Sequence, residues 1–475
     1  MPQRQSRDSS SSRYGRGRFK KTSSKRKTEQ SLKHLPPLEV TIDHLGAQGD
    51  GVVQADSENE NRIFVPHALP GERLMVQPTR RIANGIEAEI LSIMTPAVTR
   101  KPVDCMAAPA CGGCQFQHAE LSFYHDWKEQ LAKDILAQSG IHPQQWLEPF
   151  RATPHSRRRA RFAFKRLADQ TVLGFRARAS HHIITLDGCT ILSDSILSAM
   201  DDLQNMLTSA LAVGSSGELE INACDNGLDV MLVMTNPLSK DAIRQLVALA
   251  TTSHVIRLSL RDGKSGSELL FQRDLPKLLW HLPSGTIREH LLFHPPAGAF
   301  LQSVSAAEQV MREDCFRALT KAERIIDLYS GSGSLGLPLA FRQNPPKKLA
   351  AYDVSHQAIM ALHDMMRYQA PDLPLQLVAE ARNLNADPMT ADELRHYDAA
   401  ILDPPRSGAK QQMHHLVESG ITHIVMVSCH LNSFVRDAEV LIKAGYQCRW
   451  ARHIDQFYLT SHSECVAYFV REDAC

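Results

Sequence analysis

Nowhere do the 475 residues contain an apolar run near the ~18 residues that a membrane-spanning helix needs, which argues for a soluble protein. The start, Met1-Pro2-Gln3-Arg4-Gln5, lacks the apolar stretch of a secretory signal, so a cytosolic location is expected. No internal repeat is visible. Net charge is almost absent as well, +1 at neutral pH, but the balance is uneven along the chain: in the first thirty-five residues a dense Arg and Lys population faces only Asp8 and Glu29. The ten cysteines argue against a disulfide framework, because a reducing compartment leaves thiols to metals or catalysis.

A chain of this length divides into several folding units. Residues 1–36, rich in Ser, Arg and Lys and nearly empty of large aliphatics, read as a disordered basic arm, either a solubilising tail or a nucleic-acid tether. Residues 37–96 carry short strand-like runs such as Leu38–Ile42, Gly51–Val53, Arg62–Val65 and Arg73–Val76 between glycines and prolines, which predicts a small OB-like β-barrel. Arg80, Arg81 and Lys101 add positive charge beside it. Residues 97–295 form an α+β central stretch with a helix over about 122–138. Within it, Arg157-Arg158-Arg159-Ala160-Arg161-Phe162-Ala163-Phe164-Lys165-Arg166 alternates so that a strand would carry cations on one face and aromatics on the other, an RNA-facing strand or a solvated one. From 296 to 475, strand-like runs at 325–328, 349–354, 375–378, 399–403 and 423–427 alternate with helical segments. That order predicts an α/β, Rossmann-like doubly wound domain.

Cys105, Cys111 and Cys114 share a loop with two glycines, and Cys189, at a turn between two apolar runs, is the expected fourth ligand. A zinc ion and a [4Fe-4S] cluster both take four thiolates, and spacing alone does not choose between them. In the C-terminal domain, Asp327-Leu328-Tyr329-Ser330-Gly331-Ser332-Gly333-Ser334 follows a strand. Gly331 and Gly333 let backbone approach a ligand where a Cβ would clash. Asp353 ends the next strand, where a carboxylate can accept ribose hydroxyls. Gly336 completes the spacing of a dinucleotide loop, but no dehydrogenase-like site follows, so S-adenosylmethionine fits better than NAD.

Asp403-Pro404-Pro405-Arg406 closes the fourth strand, its prolines holding Asp403 where it can accept a uracil N3–H or contact the cofactor. Cys429 ends the β-branched run Ile424–Ser428, and Glu464 follows in His462-Ser463-Glu464. Uracil C5 is too weak a nucleophile to take a methyl group until a thiolate has added to C6, and the C5 proton must then be removed by a base. Cys429 and Glu464 are the right types for that pair.

Together these residues resemble the RNA 5-methyluridine methyltransferases that carry a TRAM domain and an iron–sulfur cluster, a likeness running from about Leu38 to Val470. Gly46–Val52 and Leu69-Pro70-Gly71-Glu72 are similar to the TRAM segment. The resemblance implies a [4Fe-4S] cluster on Cys105, Cys111, Cys114 and Cys189. It also implies S-adenosylmethionine contacts at Gln302, Tyr329, Ser334, Asp353, Asn383 and Asp403, with Cys429 as nucleophile and Glu464 as base. RNA is the implied partner, ribosomal RNA before transfer RNA, with no membrane and no protein partner implied. The chain departs from the family pattern in having His430-Leu431 where Asn-Pro is usual, and Gln302-Ser303-Val304 where Gln-x-Asn is usual.

Overall fold

The structure, a computed structural model, describes residues 31–55, 61–108, 110–178, 180–263 and 266–472. The basic arm expected over 1–36 lies outside the described residues as far as residue 30. Residues 31–36 do not continue it. Leu32 is buried and its N–H donates to the carbonyl of Thr79 at 2.9 Å, so one apolar anchor draws this segment onto the first domain.

That domain is a six-stranded sheet in the order Leu38–Thr41, Arg73–Ile82, Gly85–Thr95, Ile63–Val65, Gly51–Val53, His44–Leu45, in keeping with the expected barrel. Alternation along Arg73–Ile82 sends Leu74 and Val76 inward to meet Val40, Ile63 and Val65. Arg80 does not offer a free cation, since its guanidinium pairs with Glu87 at 2.9 Å.

A central seven-stranded sheet follows, with the hairpin Ser216–Cys224 and Gly227–Met234 near its middle and helices Met200–Ala210 and Lys240–Ala250 packed together. The arginine-rich run forms strand Arg159–Arg166, and its two faces divide as the alternation predicts: Phe162 and Phe164 are buried, Arg161 and Lys165 exposed. Arg158, just before the strand, turns inward. It is buried, pairs with Glu308 at 2.9 Å and donates to the carbonyl of Gln302 at 3.1 Å, which ties the central sheet to the segment entering the C-terminal domain.

The C-terminal sheet is built from Arg324–Leu328 (β1), Lys348–Asp353 (β2), Gln376–Ala381 (β3), Ala399–Leu402 (β4), His423–Ser428 (β5), Tyr446–Asp455 (β6) and Glu464–Arg471 (β7), in the spatial order β3-β2-β1-β4-β5-β7-β6. The first five are parallel, and β1, β4 and β5 are nearly all buried, as expected for strands covered on both faces. β7 runs antiparallel between β5 and β6. Residues 145–146 and 150–151 extend the edge beyond β6.

Helix Leu121–Gln138 also belongs to this layer, its Ala132 and Leu136 sharing a core with Phe434 and Phe469. Its Lys128 has no exposure and pairs with Asp455, the last residue of β6, at 2.6 Å, while Tyr124 donates to the other oxygen of Asp455 at 2.7 Å. Burial pushes Lys128 down to about 8 against the pull of Asp455. Among the described residues no helix is long and apolar enough to cross a membrane.

Removing one member of a buried ion pair strands its partner in a medium that cannot solvate it. Lys128→Met is expected to cost about 3–5 kcal/mol, read as a lower denaturation midpoint, and the double variant Lys128→Met/Asp455→Asn to recover part of the loss. A single variant as stable as the parent would show that the pair is solvated.

Candidate active site

All five parallel strands end on one edge of the C-terminal sheet, where α/β proteins collect ligands. The glycine loop leaves β1 through Tyr329, a non-glycine residue at φ 61°, followed by Gly331 at 55° and Gly333 at 81°. At Gly331 a Cβ would meet nothing within 4 Å, so its backbone borders open space. At Gly333 a Cβ would strike Leu362 at 2.6 Å. The first glycine therefore leaves room for a ligand, and the second is required by the helix His356–Gln369 behind it.

Asp353, at the end of β2, accepts Gly331 N–H at 3.0 Å and Ser355 N–H at 2.7 Å, and so holds the loop open. Each of these oxygens keeps a further lone pair for a hydroxyl donor. Asn383, after β3, is exposed at the same edge and caps Asn385 N–H at 3.2 Å; Asn385 in turn takes the Tyr329 hydroxyl at 3.4 Å. The carbonyl of Ser334 is engaged by Arg312 at 3.1 Å. The predicted cofactor residues thus line one rim.

Below the loop lies an acid that the sequence reading did not single out for a role. Asp327 is buried, accepts Gly336 N–H at 3.1 Å through one oxygen, and leaves the other without a partner. Burial, with Asp403 nearby, holds its carboxyl well above the usual carboxylate range. The signal available was its place as the last acid before the glycine loop.

The register of β7 brings together the two residues expected to react. Ser428 pairs with Cys465 and Val427 with Val466, so one step further Cys429 and Glu464 face each other across the strand ends. Cys429 is half-buried, and burial, then the charges of Glu464 and Asp403, push its thiol up. Glu464 is buried, and burial together with Asp403 pushes its carboxyl up to about 8. Asp403 is itself pushed up to about 7 by burial, with Glu308 and Asp353 adding to the effect.

Gln302 is 6% exposed and donates to Asp403 at 3.2 Å, while its carbonyl oxygen accepts from Gln456 at 2.8 Å. Gln456 also donates to Glu464. Gln456 has no local signature in the sequence, being a lone glutamine in a loop without a pattern.

Both departures from the family pattern sit at helix N-caps. His430 keeps the capping role: its Nδ1 accepts Ser433 N–H at 3.3 Å, so helix Leu431–Lys443 starts two residues after Cys429 without the usual Asn-Pro. Val304 occupies the corresponding position before helix Ser305–Ala318 and supplies no side-chain cap.

Away from this edge, the four predicted cysteine ligands come to one region. Cys105 and Cys189 are buried, Cys111 and Cys114 half-buried; the burial-raised thiol of Cys111 feels the charges of Cys189 and Cys105, and that of Cys114 the charges of all three others. The loop is anchored by Gly112 N–H to the carbonyl of Arg176 at 3.2 Å. Among the described residues, however, no group of three His, Cys, Asp or Glu stands close enough to hold a metal ion. The expectation that Cys105, Cys111, Cys114 and Cys189 share one metal centre, whether zinc or a [4Fe-4S] cluster, is therefore not shown by the structure. Donors do point at the sulfurs: Gly113 N–H at Cys111 (3.4 Å), Gln117 at Cys114 (3.6 Å), and the backbone N–H groups of Ile191 and Leu192 at Cys189.

The same loop reaches the reacting edge. Gln115 and Phe116 N–H both donate to the carbonyl of Leu459, at 2.7 and 3.1 Å, and Gln115 accepts Ser461 N–H at 2.7 Å. Leu459 sits at φ 59° and donates to Tyr124 at 2.9 Å. The connection from β6 to β7, which carries Gln456 and leads to Glu464, is pinned along its length.

Comparison with known proteins agrees with this geometry. A model of the family described as tRNA (uracil-5-)-methyltransferase matches residues 126–472. An uncharacterized RNA methyltransferase of Rhizobium meliloti is 32% identical over 440 residues, 90% of this chain and 98% of its own. The 23S rRNA (uracil(1939)-C(5))-methyltransferase RlmD of Shewanella woodyi is 30% identical over 440 residues, 91% of this chain and 95% of its own. The solved structure of Pyrococcus abyssi tRNA (uracil-54, C5)-methyltransferase with S-adenosyl-L-homocysteine shares the fold, with a TM-score of 0.67 at 21% identity over 91% of this chain and all of that one. A family match that begins inside helix Leu121–Gln138 and ends beyond β7 takes in the whole reacting edge, and the chain belongs to the tRNA (uracil-5-)-methyltransferase family, S-adenosylmethionine-dependent enzymes that methylate uracil C5 in RNA.

Proposed function

We propose that the chain methylates uridine at C5 in ribosomal RNA through a covalent adduct on Cys429, with Glu464 as the base. The observation that carries the mechanism is the β5/β7 register, which sets a thiol and a buried carboxylate opposite each other on the ligand edge. The choice of ribosomal RNA rests on the full-length likeness to the Shewanella woodyi enzyme.

Gln302, Tyr329, Gly331, Gly333, Ser334, Asp353, Asn383 and Asp403 are the residues to hold S-adenosylmethionine, which when bound supplies an electrophilic methyl group on sulfur. Cys429, as thiolate, adds to C6 of the flipped uracil, charge moves toward O4, and C5 becomes nucleophilic toward that methyl. Glu464 then takes the C5 proton, the C5–C6 double bond returns, and Sγ leaves as thiolate. Burial of Glu464 and partial burial of Cys429 raise both groups, so each must lose its proton before it acts.

The barrel and the exposed cations of the central sheet would track the RNA backbone. For the cysteine region we propose a [4Fe-4S] cluster on Cys105, Cys111, Cys114 and Cys189, supported by the N–H donors aimed at three of the sulfurs.

Nucleoside mass spectrometry of ribosomal and transfer RNA, from cells with and without the gene, is expected to show loss of 5-methyluridine from the ribosomal fraction. Complementation by Cys429→Ala is expected to fail. Loss from transfer RNA alone would move the substrate class, and loss from neither would refute the enzymatic reading.

Because Glu464 and Cys429 act only when deprotonated and both are shifted upward, the single-turnover rate should climb with pH through about 8 rather than level off in the ordinary carboxylate range. A rate already flat at pH 6 would contradict the assignment. Cys111→Ser protein, purified without oxygen, should contain less iron and lack the visible charge-transfer absorbance of the parent. Equal iron in parent and variant would remove the cluster from the proposal.

A further inference from the structure

We infer that Gln456 is a positioning residue for proton removal: its carboxamide holds Glu464 and Gln302 in one hydrogen-bonded chain and so fixes the base relative to the cofactor rim. The inference rests on the uridine-C5 reading of this edge.

Gln456 follows the last residue of β6 and is 2% exposed. Its nitrogen donates to Gln302 Oε1 at 2.8 Å and to Glu464 Oε2, and Gln302 passes the chain on to Asp403 at 3.2 Å. Both partners of that nitrogen are acceptors, so the network itself sets which way the amide points. Its own oxygen is buried without a partner. An unpaired buried carbonyl destabilises a fold, and stability alone would favour an apolar side chain here. The backbone at this point is fixed from outside the sheet: Asp455 is clamped by Lys128 and Tyr124, and Phe457 by the same lysine at 3.0 Å.

The groups facing Glu464 are Asp403 from β4, Cys429 from β5 and its neighbour Cys465 on β7; Asp403 in turn faces Glu308 and Asp353. Burial and Asp403 oppose the ionised form of Glu464, and the Gln456 N–H favours it. Withdrawing that N–H leaves Glu464 protonated to higher pH and free to turn. In the step concerned, the C5 proton passes to Glu464, the C–H electron pair becomes the C5–C6 double bond, and the C6–S bond breaks to return the Cys429 thiolate. A weakened base halts the reaction one step earlier, with methylated RNA still attached through C6.

The test uses the full-length protein and an RNA that the parent methylates. Gln456→Met keeps the length of the side chain without its polar atoms. Gln456→Glu keeps its shape and replaces the donor by an acid. Both are expected to lose about tenfold or more in kcat at neutral pH, to shift the acid limb of the pH profile upward, and to accumulate RNA adduct stable on a denaturing gel, with little change in KM for RNA. Binding of S-adenosyl-L-homocysteine checks that the site is formed. Should Gln456→Met fail that check, the pH profile and adduct fraction of Gln456→Glu decide.

Variants with the parent's pH profile and no added adduct overturn the inference, whatever their kcat, because a merely structural residue would lower the rate without moving either readout. An active parent with unaltered variants overturns this inference alone. A parent that forms no 5-methyluridine overturns the uridine-C5 reading, and the inference with it.

Discussion

The antiparallel insertion of β7 between β5 and β6 is the constraint on which the rest of the site depends. A parallel strand would bring its last residue to the ligand edge; β7 brings its first. The ladder pairs Ser428 with Cys465, and a slip of one residue would turn every side chain of β7 to the opposite face. Because β7 is buried on both faces, with Cys465, Ala467 and Phe469 in one core and Val466 in another, such a slip would exchange the two sets between cores that they do not fit, and packing holds the register. The opposition of thiol and carboxylate is thus guaranteed by core packing some distance from either group.

Around that pair the protein gathers acids rather than balancing them. Asp327 and Glu464 are each raised by burial and by Asp403, Asp403 by burial and by Glu308 and Asp353, and the buried guanidinium of Arg158 is committed to Glu308. Such a cluster is costly in isolation. It becomes intelligible beside a cationic cofactor and a substrate that presents N–H and C–H protons to be accepted, since both relieve the crowding that the unliganded site sustains.

Much of this was legible in the sequence, for physical reasons that differ by element. The parallel strands are buried on both faces, so they read as continuous β-branched runs, and the residues at their ends, Asp353, Asp403 and Cys429, could be placed before any coordinates. Period-two alternation correctly divided Phe162 and Phe164 from Arg161 and Lys165. It could not show that Arg158 turns inward, because Glu308 lies 150 residues away. The same limit hid Lys128, whose partner Asp455 is 327 residues further on: a helical lysine reads as a solvated cation until its neighbours are known. Gln456 had no local signature, its meaning arising only from Gln302 and Glu464 on other elements. The cysteine set was visible as a group, yet the distances that decide what it can hold are a property of the folded loops.

The link between β6 and β7 belongs to two domains at once. Lys128 and Tyr124 come from the helix before the central sheet, Gln115 and Phe116 from the cysteine loop, and between them they satisfy Asp455, Phe457, Leu459 and Ser461. A C-terminal half severed near residue 296 would retain the glycine loop, Cys429 and Glu464 as a sequence. It would leave Asp455 an unpaired carboxylate and Leu459 in a left-handed turn that nothing holds. The α/β domain of this protein is in that sense not a transferable module: the turn that leads to Glu464 is completed by chain that precedes the domain by more than a hundred residues.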